Sequence, residues 1–437
     1  MTLFCLRCFS FPRAFHPPPF THQAMFRRLT TLLLLLACCS SVFAGGFQIY
    51  SESATDVLGV GGAAVARPGH ASSAWYNPAA TTTITVPTAT FGGTAIKLES
   101  GYNGTGSNEW LDEQCRFTGF FYGVMPINDD WRLNLSVNAP YGMITQWPSD
   151  FSLNTLATYT SIRVCYISPS VSYRVCDELS LAVGVNATIG VARLASYIDL
   201  RAYGQGMNKI YMRADDEGVG GFASIFYQPT EAWSFGAHYQ SRVKMVFKGD
   251  AEYRYSSYLN GALQFRPTDV KARIDMPAYL ALGVENHSFE KWRFMFDAVW
   301  TEWSSYKALD IEFSKRPGTN QKGTSKNDRR WHDVWSYRFG VEYQLTDNWV
   351  LRAGYMYDVS PSNDRVNSPE MPDSDKQLFS LGVGYQTEHW GFDLSYAYVY
   401  FDKRKLGSKV AATHGIENRG DFDTRCQILS AAFTYKF

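Results

Sequence analysis

Beyond residue 44 the chain has no run of 18 apolar residues, so no helix there can cross a membrane. That leaves strands open, because a membrane-crossing strand is apolar only at alternate positions. No GxxxxGK[ST] loop, HExxH pair or two-Cys two-His finger occurs, and nucleotide, zinc-protease and zinc-finger readings lose their support. A charge of one sign is also missing: 41 basic residues face 41 acidic ones. Residues 1–44 hold four arginines and no acid, so without them the balance is 37 to 41, which does not suggest a nucleic-acid partner. Cysteine is scarce after residue 44. Cys115, Cys165, Cys176 and Cys426 have no CxxC spacing, and neither a metal nor another cofactor is expected. In an oxidising compartment they would form one or two disulfides or remain as wall thiols. No enzyme is expected: His332-Asp333 supplies two members of a hydrolase triad, but no serine stands in a nucleophile elbow.

What is present begins with a secretory signal. Arg27 and Arg28 form its charged part, Leu29 to Ala37 its apolar part, and Val42-Phe43-Ala44 a cleavage site before Gly45. The signal then spans residues 25–44, and residues 1–24 read as an upstream start that is not the native one, leaving Met1 or Met25 as the initiator. Leu35-Leu36-Ala37-Cys38 is a competing lipidation box.

Six times a short polar turn is followed by a large apolar residue and strict alternation. The large residues are Trp131, Leu179, Trp233, Trp292, Trp349 and Trp390. Tryptophan suits a membrane–water interface, where the ring is apolar and the N–H stays wet. After Trp131, Leu133, Leu135 and Val137 share one face while Arg132, Asn134, Ser136 and Asn138 share the other. A period of two with aromatic ends predicts an all-β transmembrane antiparallel barrel, lipid outside and lumen inside. Seven longer polar stretches alternate with the six turns, at about 100–114, 142–157, 200–213, 249–269, 310–330, 358–376 and 402–424. Six turns and seven loops predict about 14 strands, with both termini on the periplasmic side of a bacterial outer membrane. Residues 87–437 would be the barrel, and the last strand ends with Phe433, Tyr435 and Phe437 on its outward face.

Residues 45–86 fit neither period. They run from Gly-Gly-Phe-Gln-Ile-Tyr through the small residues of 59–66 to Asn77-Pro78-Ala79, a composition suited to backbone packed against other backbone. Such a segment reads as a hatch (plug) in the lumen. Further on, Asn138-Ala139-Pro140-Tyr141-Gly142 closes the third strand pattern. Pro140 lacks an N–H and Gly142 weakens pairing, so the strand breaks there or the outer loop begins.

These stretches, with Trp349 to Pro361 and Met371 to Lys376, resemble the FadL/TodX family of outer-membrane transporters for long-chain fatty acids and aromatic hydrocarbons. The resemblance covers residues 45–437. It implies a luminal hatch at Asn77, Pro78 and Ala79, and a kink at Asn138, Pro140 and Gly142 that opens the wall sideways. It also implies a basic contact for the ligand carboxylate at the position of His332; a second basic contact finds no clear match, Arg193 being only nearby. Phe433, Tyr435 and Phe437 look like the signal read by the barrel-assembly machinery. The expected activity is passive uptake of a hydrophobic small molecule, long-chain fatty acids foremost, by loop capture, hatch movement and lateral exit into the outer-membrane lipid. An aromatic-hydrocarbon transporter of the same fold, an outer-membrane hydrolase and a structural or adhesin-like barrel are the alternatives.

Overall fold

The computed structural model describes residues 47–437, except 49, 105, 107, 114, 204, 205, 255, 256, 259–262 and 320. The signal at 25–44, the stretch 1–24, Cys38 and the cleavage point Ala44/Gly45 lie outside the described residues.

Fourteen antiparallel strands close on themselves. They are β1 (Thr88–Asn103), β2 (Cys115–Pro126), β3 (Trp131–Gln146), β4 (Tyr159–Arg174), β5 (Leu179–Asp199), β6 (Met207–Thr230) and β7 (Trp233–Gln240, resumed at Val246–Tyr253). There follow β8 (Thr268–Arg273, resumed at Tyr279–Phe289), β9 (Trp292–Thr301), β10 (Val334–Gln344), β11 (Trp349–Asp358), β12 (Lys376–Gln386), β13 (Trp390–Phe401) and β14 (Asp421–Lys436). The seam joins β1 to β14 from Thr88↔Lys436 to Asn103↔Asp421, so both ends of the barrel lie at its short-turn end. A closed ladder is one of two structures that leave no backbone group unpaired in hydrocarbon.

Burial follows the alternation. On β3, Arg132, Asn134, Ser136 and Asn138 face the lumen and are buried, while Trp131 and Leu133 are exposed. On β13, Asp393, Ser395 and Ala397 are buried opposite the exposed Trp390, Phe392, Leu394 and Tyr396. The five turn tryptophans are all 41–44% exposed. Trp131 and Trp292 each lie 4.5 Å from a cross-strand tyrosine, Tyr173 and Tyr343, forming one aromatic girdle. Phe433, Tyr435 and Phe437 continue the outward face of β14; Phe433 meets Phe91 across the seam.

Two loop boundaries differ from the sequence expectation. Residues 207–213 and 249–253 are strand, because β5 and β6 pair from Leu179↔Tyr227 up to Asp199↔Met207 and stand clear of the membrane band. Charged side chains there mimic a loop although the ladder continues into water. The third strand likewise does not end at Gly142 but runs to Gln146. Cys115 and Cys176 are exposed, Cys165 and Cys426 buried, and among the described residues no disulfide joins them.

This topology is open to labelling. In a Cys115→Ser/Cys176→Ser background, Lys322→Cys should react with an impermeant maleimide on intact cells. Asp347→Cys should react only after the outer membrane is permeabilised. The reverse pattern would invert the barrel.

Candidate functional site

The lumen is filled by Phe47–Thr83, built from the one-turn helices Thr55–Gly59 and Ser73–Tyr76 and the 3-10 turn Pro78–Thr83. Its backbone lies directly on the wall. Gly236, Gly283, Gly340, Gly354 and Gly382, on five strands between β7 and β12, face it. A Cβ on Gly354 would overlap Val60 and Gly61, and one on Gly236 would overlap the Val65 carbonyl. Any larger residue would lift the hatch off the wall.

Polar groups complete the seat. Asn77 donates from Nδ2 to Val65 O (2.6 Å) and to Ile225 O of β6 (3.0 Å), and its Oδ1 accepts from Ala79 N (3.2 Å). Pro78 O accepts from Ser172 on β4 at 2.6 Å. Asp297 of β9 accepts from the N–H groups of Ala64 (2.7 Å) and Val65 (2.9 Å). A buried ion network ties the hatch to three more strands. Arg67 bridges Asp56 (3.1 Å) and Glu342 of β10 (2.8 Å); Arg352 of β11 bridges Glu342 (2.6 Å) and Asp393 of β13 (2.5 Å). Removing one member of such a network costs about 3–5 kcal/mol, because its partner stays buried and unpaired. Burial alone would push the Asp56 carboxyl up. The His70 hydrogen bond and the Arg67 charge outweigh it and hold Asp56 well below the usual carboxylate range. At the seam, Ser430 of β14 meets both Thr55 of the hatch (2.7 Å) and Thr94 of β1 (2.9 Å).

The wall has a window. β2 and β3 pair only from Pro126↔Arg132 up to Phe121↔Val137. Above that, β3 carries a bulge between Asn138 and Tyr141: three residues advance while β4 advances two, from Tyr166 to Val164. Pro140 lies inside this bulge. The upper edge is closed by Asp112 N donating to Gln146 O at 2.9 Å. Between the edges the partner of β3 is the start of the hatch. Gly142 N donates to Phe47 O (2.8 Å), and Gln48 bridges Tyr141. Asn77-Pro78-Ala79 sits away from the window, against β4 and β6.

Phe47 is fully buried in an aromatic cage. Its ring centroid is 4.9 Å from Trp303, 5.9 Å from Tyr306, 6.0 Å from Tyr141 and 6.2 Å from Trp331. Towards the mouth lies a cavity of about 610 Å³ lined by Leu156, Leu194, Ile198, Met212, Leu309 and Phe313 among others. His332 does not join this site. It is exposed, with its backbone N–H on Pro361 O. The buried cation at the cage is Arg329, beside Tyr306, which donates to Ser368 Oγ at 2.8 Å and lies 3.7 Å from Glu370 on the cavity wall. Sequence alone could not tell which of two basic residues three apart turns inward. Arg193 is exposed on the outer face of β5. Trp303 and Trp331 were also missed, although tryptophans flanking so polar a stretch were a usable signal.

Comparison with known proteins bears on this arrangement. The sequence model of the family described as outer membrane protein transport protein (OMPP1/FadL/TodX) matches residues 35–437. The long-chain fatty acid transport protein of Escherichia coli O6:H1 is 22% identical over 400 residues, 83% of this chain and 87% of that protein. Outer membrane protein P1 of Haemophilus influenzae is 25% identical over 346 residues, 72% of each chain. Among solved structures, a Pseudomonas aeruginosa FadL homologue superposes with a TM-score of 0.77 at 22% identity, covering 90% of this chain and all of that one. The Pseudomonas putida toluene transporter TodX gives 0.70 at 16% identity, covering 90% and 99%.

Two measurements test the seat. Asn77→Ala leaves the buried Val65 carbonyl without its donor, at about 1–3 kcal/mol, and releases the hatch from Ile225 O. Hydrogen exchange of hatch amides should speed up while strand amides stay protected. Glu52 supplies a pH dependence. Burial raises its carboxyl to about 7 against the help of Ser51 and Arg338, with Asp358 raising it further. A raised carboxylate stabilises the seated form below its ordinary value, and that contribution is lost as pH rises through 7. Protection around Glu52, corrected for intrinsic exchange, should be greater at pH 5.5 than at pH 8.5. Glu52→Gln should flatten the difference.

Proposed function

Because the chain belongs to the OMPP1/FadL/TodX family of outer-membrane transport proteins, we propose that it carries long-chain fatty acids inward by diffusion and releases them sideways through the β2–β3 window. The protein is an outer-membrane transporter of hydrophobic substrates. The observation that carries the finer reading is the double role of one segment. Phe47 fills the aromatic cage, and its own carbonyl fills the window. A ligand that displaces Phe47 therefore opens the wall in the same movement.

Magnitudes favour a long chain over a single ring. Burying a phenylalanine side chain is worth about 1.5–3 kcal/mol, and each methylene about 0.8 kcal/mol. Four methylenes thus offset the lost Phe47 contacts, and the rest of an acyl chain is surplus. Toluene offers little more than the ring it replaces and competes with a tethered ring at an effective concentration on the order of millimolar. The mouth cavity supports loop capture, and Arg329 takes the carboxylate role that the resemblance assigned to His332. In this reading the hatch body from Thr55 onward, with Asn77, Pro78 and Ala79, stays seated while residues 47–53 move. Phe433, Tyr435 and Phe437 serve the barrel-assembly machinery. The second reading, an aromatic-hydrocarbon channel, draws on the likeness to the toluene transporter.

Uptake of labelled fatty acid by cells with equal surface levels tests the route. Pro140→Val with Gly142→Thr should strengthen β3 and cut uptake several-fold, while ligand binding to the purified protein persists. Phe47→Ala should tighten ligand binding. Arg329→Gln should weaken fatty acid uptake and leave toluene uptake unchanged. Full uptake by the Pro140/Gly142 double variant would sink the lateral route. Equal loss of both substrates in Arg329→Gln would sink the carboxylate role.

A further inference from the structure

A second defect in the wall, on β7 and β8, is not needed for an exit between β2 and β3. β7 pairs with β6 up to Phe222↔Gln240 and again from Asp215↔Lys248. Between these ladders residues 241–245 leave the cylinder and lie on the inner face of β6, over Gly218 and Gly220. A Cβ on either glycine would overlap Val243. The interrupted stretch of β8 follows them inward. Val243 N donates to Met276 O (3.0 Å), Met276 N to Val243 O (2.9 Å) and Ile274 N to Met245 O (3.2 Å). Val243, Met245 and Met276 are completely buried.

This infold reaches the window from across the lumen. β3 and β8 stand five strand positions apart, about 24 Å along the wall at roughly 4.8 Å per strand. Yet Tyr141, at the end of the β3 bulge, donates from Oη to Pro277 O of the infold at 3.3 Å. A single side chain therefore spans the lumen beside the window. Its ring stands edge-on to Phe47 at 6.0 Å and to Trp303 at 6.4 Å, with Tyr166 of β4 behind it at 5.8 Å.

We propose that Tyr141, held against Pro277, is a specificity-determining residue of the exit, which passes a single unbranched chain and refuses a bulky group. This rests on the lateral route proposed above. Protein interiors are close-packed, so the room that Phe47 leaves is about the room its own ring took. An extended polymethylene chain is thinner than a phenyl ring and threads that space. A group wider than one ring requires Tyr141 to swing aside. Its backbone is fixed in β3 and its hydroxyl on β8, so it does not swing while the tie holds.

The probes are labelled hexadecanoic acid and the same acid capped with adamantane at its methyl end. Uptake of each is measured in cells bearing equal surface levels of protein. Wild type should take up the straight acid and largely refuse the capped one. Tyr141→Phe keeps the ring and removes the tie, and should raise the capped-to-straight ratio several-fold. Tyr141→Ala should raise it further. An unchanged ratio in either variant overturns the proposal. A matching rise in entry of a water-soluble dye would mark a general leak and overturn it as well. The heat-dependent gel shift of a folded barrel checks assembly, and should Tyr141→Ala fail to assemble, Tyr141→Phe decides. The Pro140/Gly142 double variant separates the two readings. Full uptake there sinks the route itself, whereas lost uptake there with an unchanged Tyr141 ratio sinks only the limit on width.

Discussion

Everything in this barrel follows from the cost of a backbone group left unpaired in hydrocarbon. The seam, the long ladders and the strict alternation all satisfy that requirement with neighbouring strands. The upper half of β3 does not, because β2 stops pairing with it at Phe121↔Val137. There the chain supplies its own replacement, a short length of the hatch whose Phe47 carbonyl and Gln48 bridge take the place of a strand. Such a partner can leave, which a ladder of ten residues cannot.

The hatch is correspondingly divided. From Thr55 to Thr83 it is held by carbonyl hydrogen bonds, by the ion network through Arg67 and Glu342, and by backbone laid on glycine. These contacts are buried, and buried polar contacts are expensive to break. Before Thr55, the side chains of Phe47 and Tyr50 are held by aromatic contact, a non-directional attraction that another apolar molecule can replace. Gly142, Tyr76, Thr94 and Tyr122 meanwhile donate to the backbone carbonyls of Phe47, Tyr50, Glu52 and Ser53. The replaceable part is thus the two aromatic side chains, Phe47 and Tyr50, an arrangement suited to a greasy cargo.

Much of this was legible from residues alone. Trp131, Trp233, Trp292, Trp349 and Trp390 set the phase of their strands, and later residues follow by parity up to the bulge in β3 and the interruption in β7. Asn77 and Pro140 were visible because one caps a turn and the other lacks an N–H. The misreadings have physical causes. Lys209 and Arg213 look like loop because polarity reports contact with water, not loss of hydrogen bonding. The interruptions of β7 at 241–245 and β8 at 274–278 reverse which parity faces inward, and only Pro277 hints at them. Arg329 and His332 lie in an irregular stretch without period, so nothing in the order of residues said which one turns inward.

The hydroxyl cluster at the seam has a consequence for how the molecule is made. Ser430 on the last strand meets Thr94 on the first strand and Thr55 of the hatch together. The two edges of the seam are therefore tied to each other and to the hatch through one hydroxyl. A cylinder of fourteen strands could close one register early or late. A slip of one residue would turn the Ser430 hydroxyl out of the lumen and away from Thr55, so the hatch marks the register in which the seam is closed.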